Sequence, residues 1–273
     1  MITTAELHEA ARREGLRFDQ AEKDYIILCV LSGLAKAGVH EAGWTFKGGT
    51  CLRHCYYAGY RFSEDIDFSC PPTSDNLAAA VSLLERTAGL VSNETGVAID
   101  VRAAAQSSGQ EQLEIPLHYS RGGVGRQALP AVRVHLTFDE PVLTSAEIRT
   151  VEPPYADLGP FRITAYSLRE IVAEKLRALL QQQEKWPRPR DLYDLWFIIC
   201  DRAEPVGGEE MRRLFERKCQ VRHIEPDVSR LSSETLREWN RQAWRNQLAP
   251  MMKAAPEYER MWADWVRASA TLL

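Results

Sequence analysis

Phe46-Lys47-Gly48-Gly49-Thr50-Cys51-Leu52 and Arg61-Phe62-Ser63-Glu64-Asp65-Ile66-Asp67-Phe68 are the two stretches on which the reading of this chain turns. In the second, Asp65 and Asp67 alternate with Ile66 and Phe68 at period two, the pattern of a half-buried β-strand. Residues i and i+2 of a strand share a face, so both carboxylates project together while Ile66 and Phe68 face a core. Two like charges a few ångströms apart repel unless a cation lies between them. An oxygen-only pair of this kind suits Mg²⁺, which completes its shell with water and substrate phosphates. A strand face carrying incidental acids is the other reading of the same residues.

The first stretch follows a short apolar run, Trp44–Phe46, and precedes a helical one, Cys51–Ala58. Glycines in a strand-to-helix turn let backbone N–H groups approach a polyphosphate, and the helix start favours negative charge. Thr50 adds a hydroxyl and Lys47 a cation. The GxxxxGK[ST] spacing of a Walker A loop is absent, and a simple tight turn would explain the glycines by themselves. A phosphate cradle with a carboxylate pair beginning 15 residues after Thr50 points to nucleotide and metal together.

The rest of the chain is consistent with an intracellular enzyme. Its 273 residues fit one large domain or two modest ones. Hydrophobic residues at 45% and charged residues at 26% exclude collagen, disorder and coiled coil. Six cysteines without a CxxC pair argue against a disulfide scaffold or zinc ribbon and for a reducing compartment. The charged N-terminal stretch is unlike a secretory signal, and no apolar run reaches bilayer length, so the expectation is a cytoplasmic protein without membrane contact. Residues 1–159 carry 14 basic and 21 acidic side chains, residues 160–273 carry 20 and 17. The mildly basic second part permits nucleic-acid contact without requiring it.

Periodicity and breakers give helices at 5–14, 19–38, 51–58 and 75–91, and strands at Trp44–Phe46, Asp65–Phe68, Val97–Ala103, Gln112–Tyr119 and Ala131–Phe138. Thr4 and Asp19 are the expected N-caps of the first two helices, and Gly122-Gly123-Val124-Gly125 is an expected loop. Pro153-Pro154 and Gly159-Pro160 mark a boundary, after which helices follow at 168–181, 190–200, 209–218, 234–247 and 257–270. The expected division is an α/β domain at 1–159 and a helical domain at 160–273.

Together with Ala173-Glu174-Lys175-Leu176-Arg177-Ala178-Leu179 and Arg190-Asp191-Leu192-Tyr193-Asp194-Leu195, the two opening stretches resemble the AbiEii/AbiGii-type nucleotidyltransferase toxins, stand-alone bacterial members of the polymerase-β-like superfamily. These motifs span about residues 22–198, in the family's order, and nothing in the last 70 residues matches. The resemblance implies an α+β fold: a polymerase-β-like core of mixed sheet and flanking helices, followed by a helical bundle that completes the active-site cleft. It implies Mg²⁺-dependent transfer of a nucleoside monophosphate from an NTP to an acceptor, for some members the 3′ end of tRNA, by the toxin of a toxin–antitoxin pair with a cognate antitoxin. Asp65 and Asp67 would hold metal, Gly48, Gly49 and Thr50 the phosphates with Lys47 or Lys175, and Ser63 and Arg190 would contact substrate. Lys175 and Asp191 are catalytic positions of that family.

Those two helical positions are anomalous without the resemblance. Leu168, Ile171, Val172, Leu176 and Leu179 form one apolar stripe, with Lys175 in its middle and Glu170 and Arg177 on the polar face. A lysine there needs an anionic partner, or snorkels its ammonium out to water. Asp191 likewise shares a face with Leu195 and Ile198. Both would be explained if they pointed across an interdomain cleft toward Asp65 and Asp67.

One departure concerns the third carboxylate that polymerase-β-like enzymes usually carry on a later strand. In Val132-Arg133-Val134-His135-Leu136-Thr137-Phe138 the position holds His135, so the base is either His135 or Asp191, with Asp191 favoured. Cys51, His54 and Cys55 lie one helical turn apart, a spacing open to zinc or to buried thiols. Arg237, Arg241 and Arg245 form an i+4 stripe, either an RNA phosphate contact or a solvated face. A weakened nucleotide-binding regulatory module and a metal-dependent nuclease or phosphodiesterase remain alternatives to the transferase.

Overall fold

The computed structural model describes residues 2–102, 111–122, 129–182 and 185–273. Ala103 and the glycine loop at 123–125 lie outside them. The elements run α1 (Thr4–Glu14), α2 (Phe18–Ala37), β1 (Thr45–Lys47), α3 (Gly48–Cys51) continued by a π-turn (Leu52–Tyr56), β2 (Asp65–Ser69), α4 (Asn76–Thr95), β3 (Ala98–Val101), β4 (Gln112–Ser120), β5 (Ala131–Thr137), β6 (Glu147–Val151), β7 (Phe161–Ala165), α5 (Leu168–Gln182), α6 (Pro189–Trp196), α7 (Glu209–Val221), α8 (Glu234–Ala243) and α9 (Tyr258–Leu272). This is the expected α+β fold. Among the described residues no helix is long and apolar enough to cross a membrane.

Local chemistry sets several boundaries. The first N-cap is Thr3 rather than Thr4: its hydroxyl accepts from Glu6 N while Glu6 accepts from Thr3 N, a capping box. Arg17, not Asp19, precedes α2, with Gln20 accepting from its N–H. α4 starts on Asp75, which accepts from Ala78 N.

The sheet is mixed, in the order β3-β4-β5-β2-β1-β7-β6. β2 pairs antiparallel with β1 and parallel with β5, so Asp67 has Lys47 opposite on one side and His135 on the other. Ile66 and Phe68 are fully buried, as their alternation with the acids requires. β6 and β7 are antiparallel partners, and β7 joins β1 in parallel. The Pro153–Pro160 stretch therefore connects two strands of one sheet. α2 lies against α4, and a Cβ on Gly33 would stand 2.8 Å from Val91 and 3.0 Å from Thr87, so this close approach requires glycine.

Two compact units result: Met1–Val142 with Ala146–Tyr166, and Leu143–Ser145 with Ser167–Leu273. In the first, the core gathers Ile26, Leu31, Phe46, Phe62, Phe68 and Val134. In the second, Trp265, Phe215, Met261 and Ile198 are fully buried, and Trp265 donates its indole N–H to Leu231 O at 2.8 Å. Glu170 and Arg177 do not form the polar face the stripe assigned to them, because both are buried. Glu170 accepts from the amides of Leu143 and Thr144 at 3.0 and 2.8 Å and pairs with the fully buried Lys218 at 2.6 Å. A helical wheel drawn for one helix cannot see α7 covering its second face.

Candidate active site

In the first unit, β1 ends at Lys47 and the chain enters α3 through Gly48, whose φ of +80° is one that side chains rarely adopt. Space makes the same demand. A Cβ on Gly48 would stand 2.3 Å from Asp67 Oδ2, and one on Gly49 would stand 2.8 Å from the Arg61 guanidinium and 2.9 Å from Ser63 Oγ. The glycine turn is thus pressed against the carboxylate of β2 and the buried Arg61 and Ser63. Arg61, which sequence reasoning left out of the site, is brought there by the run that leads into β2.

Thr50 takes a different part from the one expected. It is fully buried, and its hydroxyl donates to Asp65 O, tying the turn to β2. Lys47 is also buried; its ammonium lies 3.9 Å from Glu140 and 5.6 Å from the centre of the Tyr166 ring. The turn is braced from behind: Arg53, at the π-turn, donates to Asp24 at 3.0 Å and to Tyr60 O, while Tyr155 donates to the same fully buried Asp24 at 2.9 Å. His54 stands 3.2 Å from Asp24, in that network.

Asp65 and Asp67 are half-buried and share a face. Burial, joined by the neighbouring Asp67, raises the Asp65 pKa, against the opposing pull of His135, Lys23 and Arg133. Asp65 Oδ1 is buried without a hydrogen-bond partner. His135 Nδ1 stands 3.2 Å from Asp67 Oδ1. Burial by itself would lower the His135 pKa; the bond to Asp67 and the charges of Asp67, Asp65 and Glu114 outweigh it and raise the value to about 9. The carboxylates of β2 thus favour the charged form of this ring.

These donors fit a divalent cation. An unpartnered carboxylate oxygen on Asp65 and an oxygen of Asp67 at the glycine turn are hard ligands of the kind Mg²⁺ takes. Among the described residues no group of three or more His, Cys, Asp or Glu is placed to hold a metal. Water and substrate phosphates would have to complete the shell.

In the second unit, Lys175 on α5 is buried and lies 2.7 Å from Asp191 Oδ1 and 2.8 Å from Asp194 Oδ2, both on α6. The lysine in the apolar stripe has anionic partners and does not snorkel. The other oxygen of Asp191 pairs with Arg188. Burial would raise the Asp191 pKa, yet Arg188 and Lys175 hold the carboxyl far below the usual range. Both oxygens of Asp191 are thus engaged by cations of the second unit. Asp194 was missed as a site residue; the signal was its place three residues after Asp191, on the same helix face.

Ahead of α6, Lys185-Trp186-Pro187-Arg188-Pro189-Arg190 carries an indole that is 59% exposed. Its base is fixed by Asn240, which accepts from Arg188 N at 3.0 Å. On α8, Arg237 pairs with Glu234 and Glu259 and Arg241 with Glu238 on a solvated face, and Arg245, beyond the end of α8, is exposed.

Known proteins resemble this chain in sequence and in fold. The sequence profile of the family described as "Nucleotidyl transferase AbiEii toxin, Type IV TA system" matches residues 30–268, well past the last motif legible by eye. JHP933 of Helicobacter pylori has a similar crystal structure, with TM-score 0.62 and 15% identity over 92% of this chain and 90% of that one. A second H. pylori protein, described as a nucleotidyltransferase, gives TM-score 0.60 and 16% identity over 93% and 95%. MenT4, a nucleotidyltransferase toxin of Mycobacterium tuberculosis, gives TM-score 0.49 and 18% identity over 99% of each chain. No curated protein matches this chain in sequence.

Proposed function

Because the chain belongs to the AbiEii nucleotidyltransferase toxin family, we propose that it transfers a nucleoside monophosphate from an NTP to RNA, with Mg²⁺ held by Asp65 and Asp67. The family places it in a type IV toxin–antitoxin system, which implies a nucleotide substrate and an antitoxin. The observation that carries the reading is the contact between the Gly48 turn and Asp67 Oδ2. It sets the backbone of the glycine turn directly beside a metal-binding oxygen, the space a Cβ would fill being taken by Asp67 itself.

In this reading the glycines let Asp67, Arg61 and Ser63 close on the turn, the triphosphate would lie against these side chains, and Thr50 keeps the turn in register with β2. The metal would neutralise the phosphate oxygens and align the α-phosphate for in-line attack. The acceptor hydroxyl oxygen would bond to the α-phosphorus as the bond to the bridging oxygen breaks, its proton passing to water, and pyrophosphate would leave. Lys175 is assigned to the developing phosphate charge, and Asp191 to positioning Lys175. Lys47 would add to the positive potential behind the turn.

An RNA acceptor is supported by the Lys185–Arg190 run. An exposed indole among basic side chains is a stacking platform for an unpaired base with cations for its phosphates, and Arg190 would serve there. A tRNA 3′ end is the first acceptor to test, and the cytoplasm is where NTPs and tRNA meet the enzyme.

The test is incubation of total RNA with each α-labelled NTP and Mg²⁺, resolved by size. Label entering a discrete RNA band supports the transferase. RNA shortened without added NTP would favour the nuclease alternative, and nucleotide binding with no transfer to any acceptor would favour the regulatory module.

A further inference from the structure

Glu114 on β4 stands opposite His135 on β5, and its two oxygens address two different donors. Oε1 lies 3.2 Å from Arg133 Nε, and Oε2 lies 3.2 Å from His135 Nε2, a close approach without hydrogen-bond geometry. Each donor faces one carboxylate of β2 with its other end. His135 Nδ1 is 3.2 Å from Asp67 Oδ1, and Arg133 Nη1 is 3.9 Å from Asp65 Oδ1. The register that sets Asp65 beside Arg133 and Asp67 beside His135 fixes both arms. One carboxylate, two strands away, is therefore linked to both acids of the pair.

The distances are unequal in a telling way. Arg133 is nearer to Glu114 than to Asp65, and Asp65 Oδ1 has no hydrogen-bond partner although a guanidinium stands close by. Arginine keeps its charge at any working pH. Released from Glu114, it would have Asp65 as its remaining carboxylate, and a cation seated there competes with a metal for the same oxygen.

We propose that Glu114 is a positioning residue that draws Arg133 and His135 toward β4 and so leaves Asp65 and Asp67 open to a divalent cation. The inference rests on the metal-binding reading above and adds to it a residue outside the ligand pair. Arg133 and Glu114 are each about half exposed, with side-chain exposures of 55% and 51%, so the effect is that of a solvated ion pair, not a buried one.

The test measures Mn²⁺ affinity by titration calorimetry on the full chain with a non-hydrolysable NTP analogue. Glu114→Gln is expected to weaken Mn²⁺ binding by about fivefold, the upper scale of a solvated pair. Adding Arg133→Gln to Glu114→Gln should restore most of it, an outcome that loss of packing would not produce. Arg133→Gln alone should bind Mn²⁺ at least as tightly as the unchanged protein. Unaltered affinity in Glu114→Gln, or no recovery in the double variant, overturns the proposal. If Glu114→Gln does not fold, weakened binding in Arg133→Gln alone overturns it instead. If the unchanged protein and Asp67→Ala bind Mn²⁺ equally, the metal assignment itself fails, and this inference with it.

Discussion

Lys175 Nζ lies 2.8 Å from Asp194 Oδ2, and that carboxylate is fully buried. A second carboxylate, Asp191, approaches the same ammonium at 2.7 Å. Removing one partner of a buried ion pair leaves the other charge uncompensated, at about 3–5 kcal/mol. Since Lys175 would keep Asp191, Asp194→Asn should cost less than that, but still more than about 1 kcal/mol in urea unfolding. Lys175→Met should lower transfer at least tenfold, the scale of a lost charge-assisted contact. A Lys175→Met protein with full activity would show that the ammonium serves α5 and α6 alone.

The two glycines of the turn should differ. Gly48→Ala puts a Cβ 2.3 Å from Asp67 Oδ2 at a φ of +80°, where the conformation by itself costs about 1–2 kcal/mol. We expect no measurable transfer. Gly49→Ala meets the ends of two side chains, Arg61 and Ser63, which can shift, so reduced but detectable transfer is expected. Single-turnover assays of both variants decide it, and equal rates would remove the close-approach argument.

Asp67→Ala should abolish transfer and saturable Mn²⁺ binding, and, since it also removes the carboxylate paired with His135, should lower the thermal midpoint modestly while the protein stays folded. Retained transfer would refute the metal assignment.

Acid should destabilise the first unit through Asp24. Burial by itself would raise its pKa, but His54, Arg53 and the Tyr155 hydroxyl overcome that and hold it at about 2. A folded pKa below the unfolded one near 3.9 gives stability that is present above that value and lost as pH falls toward 2. The contribution is on the order of 2–3 kcal/mol. Unfolding free energy measured between pH 5 and 2 should fall less steeply in Asp24→Asn than in the unchanged protein, even though that variant starts lower.

Trp186→Ala should weaken binding of a single-stranded RNA by about 1–3 kcal/mol, the value of one base–aromatic stack, and leave NTP affinity unchanged. Trp186→Phe should recover part of it. Fluorescence anisotropy with a labelled oligonucleotide reads both, and equal affinity for all three proteins would take Trp186 out of the acceptor reading.

Local pattern made Asp65, Asp67, the glycine turn and Lys175 legible, because each is decided within a few residues by strand alternation, turn chemistry or a charge in an apolar stripe. Partnerships set by register were not legible. That Glu114 reaches Arg133 and His135 depends on β4 lying beside β5, and that Thr50 addresses a backbone carbonyl depends on how α3 meets β2. β6 and β7 escaped notice because each has five residues and they flank prolines that read as a boundary. Glu170 was misplaced on a solvent face for the same reason, since its partners, Lys218 and the amides of 143 and 144, are distant in sequence.

The grip of Glu170 on residues 143 and 144 constrains how such a chain could have been assembled. The polypeptide leaves the sheet-bearing unit after Val142, re-enters it at Ala146, and leaves again after Tyr166. The helical part is therefore not a cassette that one cut can detach. A fragment beginning at Ser167 would retain the Lys218–Glu170 pair in its interior but lack the two amides that complete the carboxylate's hydrogen bonds. A single-point fusion after residue 166 still supplies two backbone amides at 143 and 144, so a detached helical fragment, not such a fusion, should accumulate as poorly folded protein.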